Sequence, residues 1–217
     1  MTLRRAVGLL SVAVSGGLLM GCDSLRELGI RAPVAPYQPQ NIHRAVATLP
    51  GNVQRLAVLP LACNSTIFDA IERRSSLEEL LHDEVAATKK FEVFTATPEM
   101  LRSSTGQNVW SDQEALPPSF FDSLRQNSGC DAVLFSEVTV FRAYSPMAIG
   151  WRLKLVDART KQILWAADEV FDANQPAVQS GARRFASNSE EGWAVLNSPQ
   201  RFGQYTVATL MATLPQR

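Results

Sequence analysis

WRLKLVDARTKQILWAADEVF, residues 151–171, decides how this chain folds. Trp151, Leu153 and Leu155 alternate with Arg152 and Lys154, the period of a strand with one covered face and one at least partly wet. A second β-rich run, Gln162–Phe171, follows after Ala158-Arg159-Thr160-Lys161, a connection of hairpin length. The strand on the N-terminal side extends back to Ile149, and Asp131–Phe141, DAVLFSEVTVF, supplies a third β-rich run upstream. Trp151, Trp165 and Phe171 read as core residues beneath a covering helix.

Upstream the pattern alternates strand with helix. QRLAVLPL, 54–61, is a short aliphatic strand ended by proline, and FEVFT, 91–95, is another. Between them Leu77, Leu80, Leu81, Val85 and Thr88 keep helical spacing, with Ser76 and Glu79 reading as a capping box. Thr97 and Pro98 open a further helix with Gly106 beyond its end, and Ser119–Ser128 reads as a helix stopped by Gly129. Downstream, Ser198-Pro199 begins a helix whose Phe202, Tyr205, Thr209, Leu210 and Leu214 form a stripe suited to packing on a sheet; 177–190 is a weaker helical stretch. The fold class is therefore α/β (α+β), a mixed sheet of about five strands in the order β-α-β-α-α-β-β-β with packing helices and C-terminal helices.

Three pieces of this pattern resemble a known group. RLAVLPL, SGCDAVLFSEVTVF and WRLKLVDARTKQILWAADEVF are similar to the first strand, a central strand and the closing hairpin of the small α/β domain shared by the TolB N-terminal domain, LpoB and CsgG-like envelope lipoproteins. Lys161 stands where that group usually has a turn glycine, and Ser136 where glycine is common. The resemblance implies a parallel first and third strand and a role in the bacterial envelope. RAYSPMAIG, between the third and fourth strands, is too short to supply a CsgG-like pair of membrane strands.

The N-terminus carries a different signal. MTLRR precedes 16 uncharged, mostly apolar residues, 6–21, interrupted by three glycines. That layout suits an export signal and falls short of the ~20 residues of a spanning helix, the competing reading. Leu19-Met20-Gly21-Cys22 resembles a bacterial lipobox, which implies cleavage before Cys22 and acylation of its sulfur with palmitate-type chains. Several chains anchor stably where one is marginal. Asp23 resembles an inner-membrane retention signal of enterobacteria, so both membranes stay open, the outer being favoured.

The domain division expected is thus a signal peptide (1–21), a lipidated proline-rich tether (22–53), the α/β domain (54–172) and a helical extension packing on it (173–217). Three prolines in 32–40 favour a tether, and a loop packed on the domain is the alternative.

Composition narrows the function classes. Basic and acidic residues balance at 21 each, and loss of Arg4 and Arg5 with the signal leaves a mature chain near −2, so no nucleic-acid partner is expected. There is no G-x-S-x-G, P-loop or G-x-G-x-x-G, and no C-x-x-C or H-x-x-x-H to pair Cys63 or Cys130 with His82. No catalytic residue, metal or cofactor is therefore assigned, and Cys63 and Cys130 are expected as separate thiols. The partners expected are a membrane, through the lipid on Cys22, and another envelope protein. Trp110 and Trp193, in the polar stretches NVWSDQ and EEGWAV, are expected to be exposed and are the candidate contact residues. The alternative is a subunit of an oligomeric secretion or assembly complex.

Overall fold

The computed structural model describes residues 34–63, 71–188 and 192–217, and Ala35–Arg217 forms one compact unit. The strands are β1 (Ile42–Arg44), β2 (Arg55–Val58), β3 (Ala62–Cys63), β4 (Glu92–Thr95), β5 (Ala132–Arg142), β6 (Ala148–Asp157) and β7 (Ile163–Asp172). The helices are α1 (Ile71–Ala87), α2 (Pro98–Thr105), α3 (Phe120–Ser128), α4 (Pro176–Phe185) and α5 (Pro199–Met211), with 3-10 turns at Ala186–Asn188 and Gly192–Leu196. The sheet runs β1-β7-β6-β5-β2-β4, with β3 also paired to β5. β4, β2 and β5 are parallel, while β5, β6, β7 and β1 are antiparallel, so the sheet is mixed.

The 151–171 stretch forms the central hairpin as its alternation requires. Asp157 Oδ1 accepts from the backbone N–H groups of Arg159 and Thr160, both at 2.8 Å, which shapes the turn. Lys161 completes it with φ 61°, a left-handed conformation that explains why glycine suits this position better.

Each face of the sheet has its own core. On the first, Leu56, Val58, Leu134, Val138, Ile149, Trp151, Leu153, Leu155, Trp165 and Phe171 meet α1, α4 and α5. Trp151 Nε1 donates to Thr206 Oγ1 at 2.8 Å and Trp165 Nε1 to Thr213 Oγ1 at 3.0 Å, so both indoles are satisfied by the terminal helix and the turn after it. Ser198 caps α5, accepting from Arg201 N, with Pro199 in its first turn. On the second face, α2 and α3 bury Leu101, Phe120 and Leu124 against Ala57, Leu59, Val133, Phe135 and Val156. Thr97 Oγ1 caps α2, and Gly106 and Gly129 end α2 and α3 at φ 93° and 65°.

Two expectations are corrected. The tether does not reach to residue 53: Ile42–Arg44 pairs with Trp165–Ala167, and Leu49 and Val53 are buried in the core. A proline-rich segment is already extended and short of N–H donors, so little order is lost when it lies along a sheet edge. Three of the donors that remain converge on one acceptor: Glu169, 6% exposed, accepts from Tyr37 Oη and Asn41 N at 2.5 Å and from Gln40 N. Ser76 does not cap a helix, because α1 begins at Ile71 and places Ser76 in its second turn. The α/β class and the mixed sheet are as expected; among the described residues the sheet counts seven strands, since β1 joins its edge and Leu59-Pro60-Leu61 interrupts the first aliphatic run into β2 and β3.

Candidate functional site

Residues singled out from sequence do not converge. Cys22 lies outside the described residues. Trp193 falls in the 3-10 turn Gly192–Leu196, and its side chain also lies outside them. Trp110 is 4% exposed, which corrects the expectation of an open loop residue. Its ring meets Phe120 edge-on with centroids 5.6 Å apart, and its Nε1 donates to Thr105 Oγ1 at 2.7 Å. A polar neighbourhood in sequence hid an indole that tertiary packing covers.

Burying Trp110 has a consequence for the next two residues, because it fixes the 106–119 connection against the half of the second face that no helix covers. Ser111 Oγ donates to Glu137 Oε2 at 2.9 Å, and Asp112 Oδ2 lies 2.6 Å from Lys154 Nζ. Arg152 stands between Glu137, at 3.3 Å, and Asp168, at 2.9 Å. Burial opposes the charge of Arg152, but hydrogen bonding and attraction from Asp168, with Glu137 and Asp112 nearby, raise its pKa further. This ionic row crosses β5, β6 and β7 beside His43 and Asn41 and lines a shallow hollow of about 250 Å³. Sequence reading found the wet side of β6 through Arg152 and Lys154; the partners from a distant connection carry no local signal.

A larger groove, about 700 Å³, runs on the other side between α1, α5 and the 3-10 turns. Its lining includes Leu80 and Val195, the acids Glu79, Asp83 and Glu84, and the half-exposed ring of Phe185. Among the described residues no group of three or more His, Cys, Asp or Glu side chains is placed to hold a metal ion. Cys63 and Cys130 are free thiols, and burial pushes the Cys130 thiol pKa upward, away from the reactive thiolate. Among the described residues no helix is long and apolar enough to cross a membrane.

No protein-family model and no curated protein matches this chain. Solved structures align with it at low identity. The PelC dodecamer of Paraburkholderia phytofirmans aligns over 81% of this chain and 97% of its own, at 13% identity and a TM-score of 0.45. Lipoprotein GNA1162 of Neisseria meningitidis aligns over 63% of this chain and 98% of its own, at 18% identity and a TM-score of 0.40. The LpoB C-terminal domain of Escherichia coli aligns over 59% of this chain and 86% of its own, at 18% identity and a TM-score of 0.38.

Proposed function

We propose that this chain is a lipoprotein of the bacterial envelope, acylated at Cys22, facing the periplasm from the outer membrane, and that its α/β domain binds another envelope protein without catalysing a reaction. The observation that carries this reading is Leu19-Met20-Gly21-Cys22 at the end of an apolar, basic-started leader, with the compact unit beginning only thirteen positions later at Ala35. Residues 23–34 then act as a leash with a reach of at most about 40 Å when fully extended. A leash of that length raises the local concentration of the domain near the membrane, so a weak protein contact suffices for its work. Trp193 stays the aromatic candidate for that contact, and Trp110 is given to the core.

The test is crosslinking of the full-length protein in its native membrane, followed by mass spectrometry of the captured material and of the Cys22 peptide, with Cys22→Ala as control. Acylated Cys22 and a partner lost in the control are expected. An unmodified Cys22 would overturn the anchoring, and ladder-like multiples of this chain alone would replace the accessory role with self-assembly.

A further inference from the structure

Three parts of the molecule meet at one end. Arg142 Nη2 in the β5–β6 hairpin lies 3.0 Å from Asp172 Oδ1 at the end of β7, and Ala173 N donates to Met147 O across the same gap. A few residues further on, Tyr37 N donates to Ala177 O at 3.0 Å, so the chain enters the fold beside the first turn of α4. The described chain therefore enters its compact unit, at Ala35–Tyr37, near the β5–β6 hairpin and the start of α4.

The β5–β6 hairpin and α4, which both lie near this entry, carry exposed rings and, on α4, arginines with no acidic partner among the described residues. Tyr144, at the hairpin tip, is 76% exposed. Phe185, ending α4, is 44% exposed although its ring lies 5.9 Å from that of Tyr205. Helix α4 buries Val178, Gly181 and Ala182, which leaves Arg183 and Arg184 on the outside, and neither guanidinium is paired with an acid among the described residues. These arginines lie about 10 Å along the helix from the leash entry at Ala177. Tyrosine, phenylalanine and arginine are suited to the boundary between headgroups and acyl chains, where an apolar stem and a polar tip both find partners.

We propose that this end of the domain is a lipid-docking surface, with Arg183 and Arg184 on the phosphates of anionic headgroups and Tyr144 and Phe185 entering the headgroup layer. This rests on the reading that Cys22 is acylated. The leash is about as long as a domain of this size is wide, so its entry end is the side presented most often to the bilayer. The mature chain is slightly acidic, and an anionic surface therefore repels it except where unpaired cations gather. Glu79, Asp83 and Glu84 line the groove that Phe185 also borders, so the patch extends from Phe185 toward Arg183 and Arg184 and not into that groove.

The experiment uses the full lipidated chain carrying Tyr144→Trp, reconstituted into phosphatidylcholine vesicles with or without phosphatidylglycerol and containing headgroup-depth nitroxide lipid. A matched Gln107→Trp chain, altered at an exposed position past the end of α2, is the control. The expected result is extra quenching of indole emission in the Tyr144→Trp chain over the control in phosphatidylglycerol vesicles. That excess should be relieved by high salt and weakened about tenfold in its lipid dependence by Arg183→Glu with Arg184→Glu. Equal quenching of the two probes in an acylated chain would overturn the docking surface and leave the anchoring intact. A chain whose mass shows no acyl group, and which does not float with vesicles, would overturn both.

Discussion

The two faces of the sheet are made by the same strands and end differently. On the first face β2, β5, β6 and β7 all lie under helices, and the indoles of Trp151 and Trp165 are both hydrogen-bonded to the terminal segment. On the second, α2 and α3 cover β4, β2 and part of β5, and the remaining strands carry Arg152, Lys154, Glu137 and Asp168 instead of a core. The difference shows that side-chain alternation sets which residues can be buried, while helix supply sets which are. The chain spends α1, α4 and α5 on one face, and there Glu169, a buried acid of the sheet, has three donors to itself.

The comparison predicts a gradient of sensitivity. Trp151→Ala removes one of the two largest fully buried side chains and the N–H that Thr206 Oγ1 accepts, so it should lower the urea unfolding free energy by about 3–5 kcal/mol. A loss under about 1 kcal/mol would mean that the first face is not the dominant core. Gly181→Ala drives a methyl group into Tyr205 Oη where α4 crosses α5, and should cost about 1–3 kcal/mol in the same assay. Burial pushes the Tyr205 phenol up to about 12 from an ordinary value near 10. Its contribution to stability is fully present below pH 10 and is lost as pH rises toward 12; Tyr205→Phe should flatten that alkaline limb. The smallest effect belongs to the open face. Arg152→Met should change stability by about 1 kcal/mol or less, because its carboxylate partners keep access to water. A cost above that of Gly181→Ala would show the ionic row to be as structural as the core.

Much of this architecture is legible in the residues because the period of each segment agrees with its final cover. The central hairpin, the Thr97 and Ser198 caps and the stripe of α5 all follow from local pattern, while the parallel pairing around Leu56 and Leu134 is what the family resemblance implies. Strand β1 does not, since three residues show no period and the carboxylate that organises its entry, on Glu169, lies 128 residues away from Asn41. Trp110 escapes local reading for a similar reason: its neighbours are polar, while Phe120 and Thr105 claim its ring and its N–H. The ionic row combines both cases, a local alternation on β6 and nonlocal partners at Ser111 and Asp112. Lys161 is visible as a departure from glycine, and its positive φ shows what that departure costs the backbone.

The outer strands of the sheet have only three residues in β1 and four in β4. So few unpaired backbone groups give a neighbouring copy little to extend by strand addition. Copies that meet edge to edge can then collide without fusing their sheets, and any lasting association must be written in side chains.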